Sequence, residues 1–480
     1  MRKRSILYQK TQFNLCIQTG GLQMETTIAA ISTAMSASGI GIVRISGEDA
    51  MNVISRIYRS KNGKKNIKEV KTHTIHYGYI CDGEETVDEV LVMVMRGPKT
   101  YTGEDTVEID CHGGVFAMKR VLETVLKNGA QVAEPGEFTK RAFLNGRLDL
   151  SQAEAVMDVI QAKSDIALKS SVEQLKGSVL RVIREIRAKL LHHIAYIETA
   201  LDDPEHFDLE GYPDELMEVV KEEAEEVKKL LKSADDGKMI QEGIRTVILG
   251  KPNAGKSSLL NFLVGEDRAI VTEIAGTTRD TLEEYISLHG ISLRIIDTAG
   301  IRETEDIVEK IGVEKARQMA EKADLILYVV DSSKPLDKND EEIMELLHGR
   351  KSIIIYNKTD LTPVVSPQHL EEKTGKQVIP VSVVEGSGIE NLETAIKEMF
   401  FRGEISFNDE VYITNARHKT ALEEAERSLN MVMESIEAGM PEDFFSIDLM
   451  GAYESLGKIM GESLGEDLVN EIFSKFCVGK

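Results

Sequence analysis

Apolar and polar positions repeat with different periods in different parts of the chain, and the changes of period mark its elements. From Thr26 to about Gly136 the pattern is mixed. Ile40-Gly41-Ile42-Val43-Arg44-Ile45 and Val90-Leu91-Val92-Met93-Val94 are apolar or β-branched runs with glycine in or near them, which predicts strands. Val115 to Leu126 has the spacing of a helix. From Ser151 through Leu201 glycine and proline are almost absent. Apolar residues there recur every three or four positions, at Val156, Val159-Ile160, Val179-Leu180, Ile183, Ile186, Leu190-Leu191 and Ile194, which predicts amphipathic helix. Leu201-Asp202-Asp203-Pro204 breaks it. A second helix follows, with Leu216, Val219-Val220, Val227 and Leu230-Leu231 on one face. Its Glu and Lys residues form a solvated face rather than a binding site.

From Gly243 to Met399 strand patterns alternate with helical ones. The strands are Thr246 to Leu249, Leu293 to Ile296, Leu325 to Val330, Ser352 to Tyr356 and Val378 to Val381. This alternation predicts a doubly wound, mainly parallel sheet. After Arg402 the chain turns helical again, from Asn415 to about Glu437 and from Leu449 to Phe476. The expected protein is multidomain, with α/β and all-α parts. An N-terminal α+β domain spans 24–143. A discontinuous helical domain spans 144–240 and 402–480, and a P-loop domain over 241–401 is inserted into it. The long helices on the two sides of the insertion are expected to pack together.

Composition narrows the function. The 480 residues carry a formal net charge of −23, from 81 acids and 58 bases. That argues against a broad, sequence-blind coat for nucleic acid, which needs dense positive charge, but leaves room for a small local RNA site. No apolar run reaches the roughly 18 residues that span a bilayer. The cysteines, Cys16, Cys81, Cys111 and Cys477, form no CxxC pair. A reducing cytoplasm fits them better than a disulfide framework or zinc site. Met1-Arg2-Lys3-Arg4 looks like the start of a signal, but Tyr8-Gln9-Lys10-Thr11-Gln12 breaks any apolar core. Residues 1–23 are expected to be a non-native or disordered leader, with Met24 as the true start. Codons for Gly20-Gly21 can read GGAGG, a ribosome-binding sequence.

Gly250-Lys251-Pro252-Asn253-Ala254-Gly255-Lys256-Ser257 fits G-x-x-x-x-G-K-S/T, and it lies between a predicted strand and a predicted helix, the context this motif requires. Its glycines let backbone N–H groups face phosphates. Lys256 neutralises the β/γ charge, and the Ser257 hydroxyl can ligate Mg²⁺. Asp297-Thr298-Ala299-Gly300 ends the next apolar strand, where Asp297 can hold Mg²⁺ through water and Gly300 can offer its N–H to the γ-phosphate. Asn357-Lys358-Thr359-Asp360 ends a later strand. Its Asp360 carboxylate can accept from guanine N1 and N2, which adenine cannot supply, so the wrong base leaves polar groups unpaired. Ser382 falls where the remaining guanine-contacting loop is expected. Thr278, in Gly276-Thr277-Thr278-Arg279-Asp280, is the candidate switch I ligand to Mg²⁺. Each motif alone could be a turn. All of them in this order point to GTP.

The catalytic group departs from the common pattern. Many small GTPases place Gln directly after D-x-x-G to orient the attacking water, and here that position is Ile301. Something else must orient the water and supply positive charge. A monovalent cation near the phosphates can supply the charge, with Asn253 as an oxygen ligand. For the water, Glu303, Glu305, Asp306 and Glu309 follow. Any one of them, read alone, is an ordinary solvated charge.

These residues resemble the MnmE (TrmE) family of tRNA-modifying GTPases over essentially all of Met24 to Lys480. The resemblance is carried by Gly250 to Ser258, Gly276 to Asp280, Asp297 to Gly300 and the ending Phe476-Cys477-Val478-Gly479-Lys480. In the N-terminal part it rests on Tyr101-Thr102-Gly103-Glu104-Asp105, Cys111-His112-Gly113-Gly114, Pro135 to Phe138 and Leu148 to Ala155. It implies an N-terminal folate-binding and dimerising domain, a discontinuous helical domain and an inserted G domain whose GTP-bound copies dimerise with K⁺. Contacts to GTP would then extend to Ala254, Gly255, Ser258, Thr272, Glu273, Ile274 and Ala275. K⁺ ligands would be Asn253, Thr272, Ile274 and Thr277, and Mg²⁺ ligands Ser257 and Thr278. The catalytic acid falls on Glu309, whose loss would cost roughly 2.5–4 kcal/mol of transition-state stabilisation. Folate contacts, to 5-formyltetrahydrofolate or a related folate, fall on Arg44, Glu108, Arg147 and Lys480. Without the resemblance, Arg44 and Arg147 read as ordinary ion pairs. Cys477 falls near that folate site, either with a direct role or as an inert thiol.

The resemblance also implies a homodimer, a separate flavoprotein partner, MnmG, in a heterotetramer, and tRNA as substrate. The expected activity is K⁺-activated GTP hydrolysis, coupled to carboxymethylaminomethylation of the wobble uridine. A ribosome-assembly GTPase and a folate enzyme merely regulated by GTP are the alternatives. With so acidic a chain, much of the tRNA binding is expected to fall to the partner. Arg181, Arg184, Arg187 and Lys189 can form a small basic stripe, or simply a solvated helix face.

Overall fold

The computed structural model describes residues 26–63, 65–203, 205–206, 211–265, 284–288, 290–296, 316–401 and 412–480. The chain separates into two compact units, Met1–Asp149 with Leu464–Lys480, and Leu150–Ser463.

The first unit runs β1 (Ile28–Ile31), β2 (Ile40–Ser46), α1 (Ala50–Ile57), β3 (Tyr58–Ser60), β4 (Thr74–Asp82), β5 (Glu85–Met95), β6 (Thr106–His112), α2 (Val115–Lys127), β7 (Gln131–Val132) and α3 (Glu137–Leu144). Its seven strands lie in the order β3-β4-β5-β6-β2-β1-β7. All pairs are antiparallel except β1 with β7. The period of two sorts the side chains. Val43, Ile45, Val90, Val92, Val94, Val107 and Ile109 go inward, against Val53 and Ile54 of α1 and Met118 and Val121 of α2. Gly41 permits this packing, because a Cβ there would stand 2.3 Å from the Met118 sulfur. Arg44 and Glu108, cross-strand partners, lie on the other face, as do Tyr77 and its partner Leu91.

The second unit begins with helices. The stretch predicted as amphipathic from Ser151 to Leu201 is three of them, α4 (Leu150–Gln161), α5 (Asp165–Leu175) and α6 (Ser178–Asp202). Ser164 caps α5 by accepting from the Ala167 N–H at 3.2 Å, and Gly177, with φ +88°, makes the turn into α6. After α7 (Tyr212–Glu242) comes the α/β part, which contains β8 (Ile244–Leu249), α8 (Lys256–Gly265), β9 (Glu284–Leu288), β10 (Ile291–Ile295), β11 (Leu325–Asp331), α9 (Lys338–Leu346), β12 (Ser352–Asn357), α10 (Pro367–Thr374), β13 (Val378–Pro380) and α11 (Ile389–Phe401). Two helices close the unit, α12 (Ala416–Glu437) and α13 (Glu442–Met460), and α14 (Glu466–Ser474) belongs to the first unit. The single helix expected over Leu449 to Phe476 is therefore broken. Gly461, at φ +93°, ends α13 with a left-handed cap.

The α/β part holds a six-stranded sheet in the order β13-β12-β11-β8-β10-β9, parallel except for the β9–β10 hairpin. β11 and β12 are buried along their whole length, which is why they read as unbroken apolar runs. One face packs Ile248, Leu327 and Ile355 with Leu260 of α8 and Ile396 of α11. The other packs Tyr328, Val330 and Ile354 with Met344 of α9 and Leu370 of α10. The helices before and after this part share one core, in which Ile183, Ile186 and Leu190 of α6 and Val220 of α7 meet Leu429 of α12 and Leu449 of α13. Among the described residues no helix is long and apolar enough to cross a membrane.

Candidate functional site

The carboxyl ends of β8, β12 and β13 bring three sequence motifs to one edge of the sheet, where doubly wound folds bind ligands. The loop after β8 needs unusual backbone. Gly250 has φ +149° and lies so close to β11 that a Cβ would stand 2.5 Å from the Val329 carbonyl oxygen. Asn253 is left-handed at φ +61° and Gly255 has φ +104°. Lys256 then starts α8, so the helix N-terminus faces the loop's mouth. The Lys256 ammonium bends back over the loop and donates to the carbonyls of Gly250 at 2.8 Å and Lys251 at 2.7 Å. Burial lowers its pKa. Ser257 and Ser258 are exposed on the first turn of α8.

The loop is fastened to its neighbours. Asn357 is buried and its Nδ2 donates to the Ala254 carbonyl at 2.9 Å, while its Oδ1 is buried with no protein partner. Lys358, left-handed at φ +63°, donates to the Asn253 carbonyl at 2.8 Å and to Asp331 Oδ2 at 2.6 Å. Burial would raise the Asp331 carboxyl, but bonds from Lys358 and Ser333 outweigh it and hold its pKa low. Lys251 reaches Asp340 at 2.6 Å and Asp337 at 3.1 Å, anchoring the loop to the start of α9. Asp360 is exposed at the mouth, and Ser382, buried, donates to its Oδ1 at 2.8 Å. Asn253, Ala254, Gly255, Lys256, Asn357, Lys358, Asp360 and Ser382 are thus brought together. Thr272, Glu273, Ile274, Ala275, Gly276, Thr277, Thr278, Asp297, Thr298, Ala299, Gly300 and Glu309 lie outside the described residues.

A second polar cluster sits in the first unit. The Arg44 guanidinium donates to Glu108 Oε1 at 2.8 Å and to the Gly479 carbonyl at 3.3 Å. It stands 5.6 Å from the centre of the Tyr101 ring and 5.5 Å from that of Phe138, and Arg147 stands 5.0 Å from Tyr101. Ser32 Oγ also donates to the Gly479 carbonyl, at 3.0 Å. Gly479 is required there, since it has φ +91° and a Cβ would stand 2.4 Å from the Ile31 carbonyl. The tail therefore lies along the end of β1 and places Lys480 beside Arg44 and Glu108. Burial first, then Arg44, lowers the Lys480 pKa. Tyr101 is the residue that sequence reasoning missed. It stands in a motif that carries the family resemblance, yet nothing in spacing shows that its ring bridges two arginines. Cys477 is exposed, and its carbonyl accepts from the Gly136 and Lys480 N–H groups.

The basic stripe is corrected. Arg187 is buried and forks onto Glu462, at 2.9 and 2.6 Å, with its guanidinium 4.0 Å over the Tyr453 ring. Lys189 pairs with Glu223 at 2.5 Å. Of the four, only Arg181 and Arg184 remain exposed without a paired carboxylate among the described residues.

A sheet of this topology, a loop of this backbone and a base-side Asn-Lys-x-Asp turn define a P-loop GTPase. Residues 150–477 match the family described as MnmE helical domain, and residues 27–147 match GTP-binding protein TrmE N-terminus. The protein named tRNA modification GTPase MnmE from Lachnoclostridium phytofermentans is 59% identical over 454 residues, covering 95% of this chain and 99% of that protein. Those of the same name from Geobacillus thermodenitrificans and Acetivibrio thermocellus are each 50% identical, over 461 and 460 residues, covering 95% of this chain and 99% of theirs. The chain belongs to the MnmE (TrmE) family.

Proposed function

We propose that the chain is a K⁺-activated GTPase that, with the flavoprotein MnmG, drives addition of a carboxymethylaminomethyl or aminomethyl group to C5 of the wobble uridine of certain tRNAs. The one-carbon unit comes from a formyl-tetrahydrofolate. GTP hydrolysis in the service of tRNA modification is the activity named for its close relatives. The observation that carries the reading is the locking of the P-loop to the base-side loop through Asn357 and Lys358. It supports a guanine nucleotide lying across both, with Asp360 on the base edge and Lys256 on the β- and γ-phosphates. Mg²⁺ suits the Ser257 hydroxyl at the helix start, joined by Thr278, and neutralises charge developing on the phosphates. K⁺ suits Asn253, whose side chain is exposed on a left-handed loop, with Thr272, Ile274 and Thr277. Glu309 orients the water, directly or through a second water.

The second cluster supports the folate reading. Glu108 accepts from a pterin's N–H groups, Arg44, Arg147 and Lys480 meet its oxygens or glutamate carboxylates, and the flat Tyr101 ring suits a conjugated ligand. Homodimerisation has a suitable surface on the face of the first unit's sheet opposite α1 and α2, where Ile40, Ile75, Tyr77 and Leu91 are exposed. The pairing of Arg187 and Lys189 with carboxylates supports tRNA binding falling largely to the partner. The test replaces the native copy by Glu309→Ala or Asp297→Ala and measures wobble-uridine modification by mass spectrometry, with folate binding measured on the purified variant. Lost modification with intact folate binding is expected. Intact modification overturns the reading.

A further inference from the structure

The phosphate loop follows β8 and the base-side loop follows β12, and β11 lies between those two strands in the sheet. The turn that leaves β11, residues 332–337, belongs to none of the nucleotide motifs, yet its surroundings are bonded to both loops. On the base side, Asp331 Oδ2 accepts from the Lys358 ammonium at 2.6 Å. The buried Ser332 hydroxyl donates to the Lys358 carbonyl at 2.9 Å, and the Ser332 N–H donates to the Asn357 carbonyl at 3.0 Å. On the phosphate side, the N–H donors of the Lys251 ammonium find Asp340 Oδ2 at 2.6 Å, Asp337 Oδ2 at 3.1 Å and the Pro335 carbonyl at 3.5 Å. Burial works against the Lys251 charge, but Asp340 and Asp337 outweigh it and raise its pKa. Two carboxylates face this ammonium, so it is an anchor rather than a charge offered to phosphates. The Lys251 carbonyl, on the loop itself, accepts from Lys256 Nζ at 2.7 Å and from the Ala254 N–H at 3.3 Å.

Asp340 is the centre of this anchor. Its side chain is 1% exposed, and both of its oxygens are engaged. Oδ1 accepts from the hydroxyl of Tyr328, a fully buried residue of β11, at 2.7 Å. Oδ2 accepts from the Asp337 N–H at 2.9 Å as well as from Lys251. Asp337 Oδ1 in return accepts from the Asp340 N–H at 3.2 Å, so the same two acids form the capping box that starts α9. A buried carboxylate satisfied by strand, helix start and loop together is held in one place, because leaving any of these donors unpaired is costly. The loop backbone at Lys251, and with it the carbonyl that meets Lys256, is therefore set by where Asp340 stands.

We propose that Asp340 is a positioning residue for the nucleotide: acting through Lys251, it holds the phosphate loop at a fixed distance from the base-side loop, so that one guanine nucleotide bridges both. The proposal rests on the GTPase reading and is independent of the folate and potassium readings. The test titrates the full chain with GDP and with GMP, which keeps the base but lacks the β-phosphate. It compares wild type, Lys251→Met, Asp340→Asn and the double variant, with thermal midpoints recorded beside the affinities. A loop left in its binding geometry about a tenth of the time binds about tenfold more weakly. Lys251→Met should therefore lose about tenfold in GDP affinity and less than about twofold in GMP affinity, with KM for GTP raised about tenfold and kcat within about threefold. Asp340→Asn should do the same, and the double variant should be no worse than the weaker single variant, since all three remove one interaction. Lys251→Arg keeps the cation and should bind GDP within about threefold of wild type. Lys373→Met removes a different ion pair of α9, to Glu341 at 3.0 Å, and should change neither affinity. A merely structural loss lowers the thermal midpoint and leaves the ratio of GDP to GMP affinity where it was. If Asp340→Asn does not fold, Lys251→Met against Lys251→Arg decides. An unchanged ratio in Lys251→Met, additive losses in the double variant, or no recovery in Lys251→Arg overturns the proposal. A wild type that binds neither nucleotide overturns it together with the GTPase reading.

Discussion

Replacing Gly255 by alanine should disable the nucleotide loop by a cost that can be worked from its surroundings. At φ +104° an alanine pays roughly 1–2 kcal/mol of backbone strain. Its Cβ would stand 2.1 Å from Asn357 Nδ2, so the Asn357 side chain must leave. With it goes the 2.9 Å bond to the Ala254 carbonyl, whose loss inside the protein costs about 1–3 kcal/mol. The sum, about 2–5 kcal/mol, appears as lost affinity if the loop must be restored to bind. That weakens GDP and GTP binding by about 30-fold to a few thousand-fold. Titration with a fluorescent guanine nucleotide measures it, with the thermal midpoint recorded beside it. Gly349→Ala is the control. It too is left-handed, at φ +70°, but its Cβ meets nothing within 4 Å, so it should lose about 1 kcal/mol of stability and no affinity. Binding by Gly255→Ala within threefold of wild type would refute the reasoning.

Other expectations follow from single contacts. Burial, with help from Glu154 and against the Thr414 bond, raises the Asp158 pKa from 3.8 to about 6. The native state then keeps a proton that the unfolded chain releases, so this contribution is complete below pH 3.8 and is lost as pH rises towards about 6. Asp158→Asn should therefore raise stability by about 1–3 kcal/mol near pH 7.5 and hardly at all near pH 4, and calorimetry showing equal midpoints at both would contradict this. Arg187→Met removes the buried guanidinium's bonds to Glu462 and the Tyr453 carbonyl, and because the Glu462 side chain is 39% exposed and can be hydrated, it should cost about 1–3 kcal/mol in denaturant unfolding, whereas Arg181→Ala should stay within about 0.5 kcal/mol. Arg44→Ala removes a charged bond to Glu108 and should weaken 5-formyltetrahydrofolate binding by about ten- to hundredfold, with GTP turnover unchanged.

Much of the nucleotide edge was legible because its chemistry is local. A phosphate loop needs Gly250 and Gly255 at fixed spacing, and a base-side turn needs Asn357 to Asp360 in a row. The fully buried β11 and β12 also announced themselves as apolar runs. What escaped was whatever depends on distant partners. Periodicity placed Arg187 on a helix but could not show Glu462 across the core, so its ion pair read as surface charge, in a small basic stripe or on a solvated helix face. It ran α4, α5 and α6 into one helix because Ser164 and Gly177 are weak punctuation against a strong repeat. It could not see that the last residues lie along β1, because that depends on Gly479 fitting against Ile31. Nor could it see Tyr101 between Arg44 of β2 and Arg147 of the turn after α3, which are far apart in sequence.

The central claim is that a potassium ion, rather than an arginine finger, supplies the charge at the phosphates. GTP hydrolysis by the purified chain in K⁺ against Na⁺, at equal ionic strength and across protein concentrations, tests it most directly. Strong activation by K⁺ that rises with protein concentration is the predicted result. A rate indifferent to the cation would leave a GTPase but contradict the role given to Asn253.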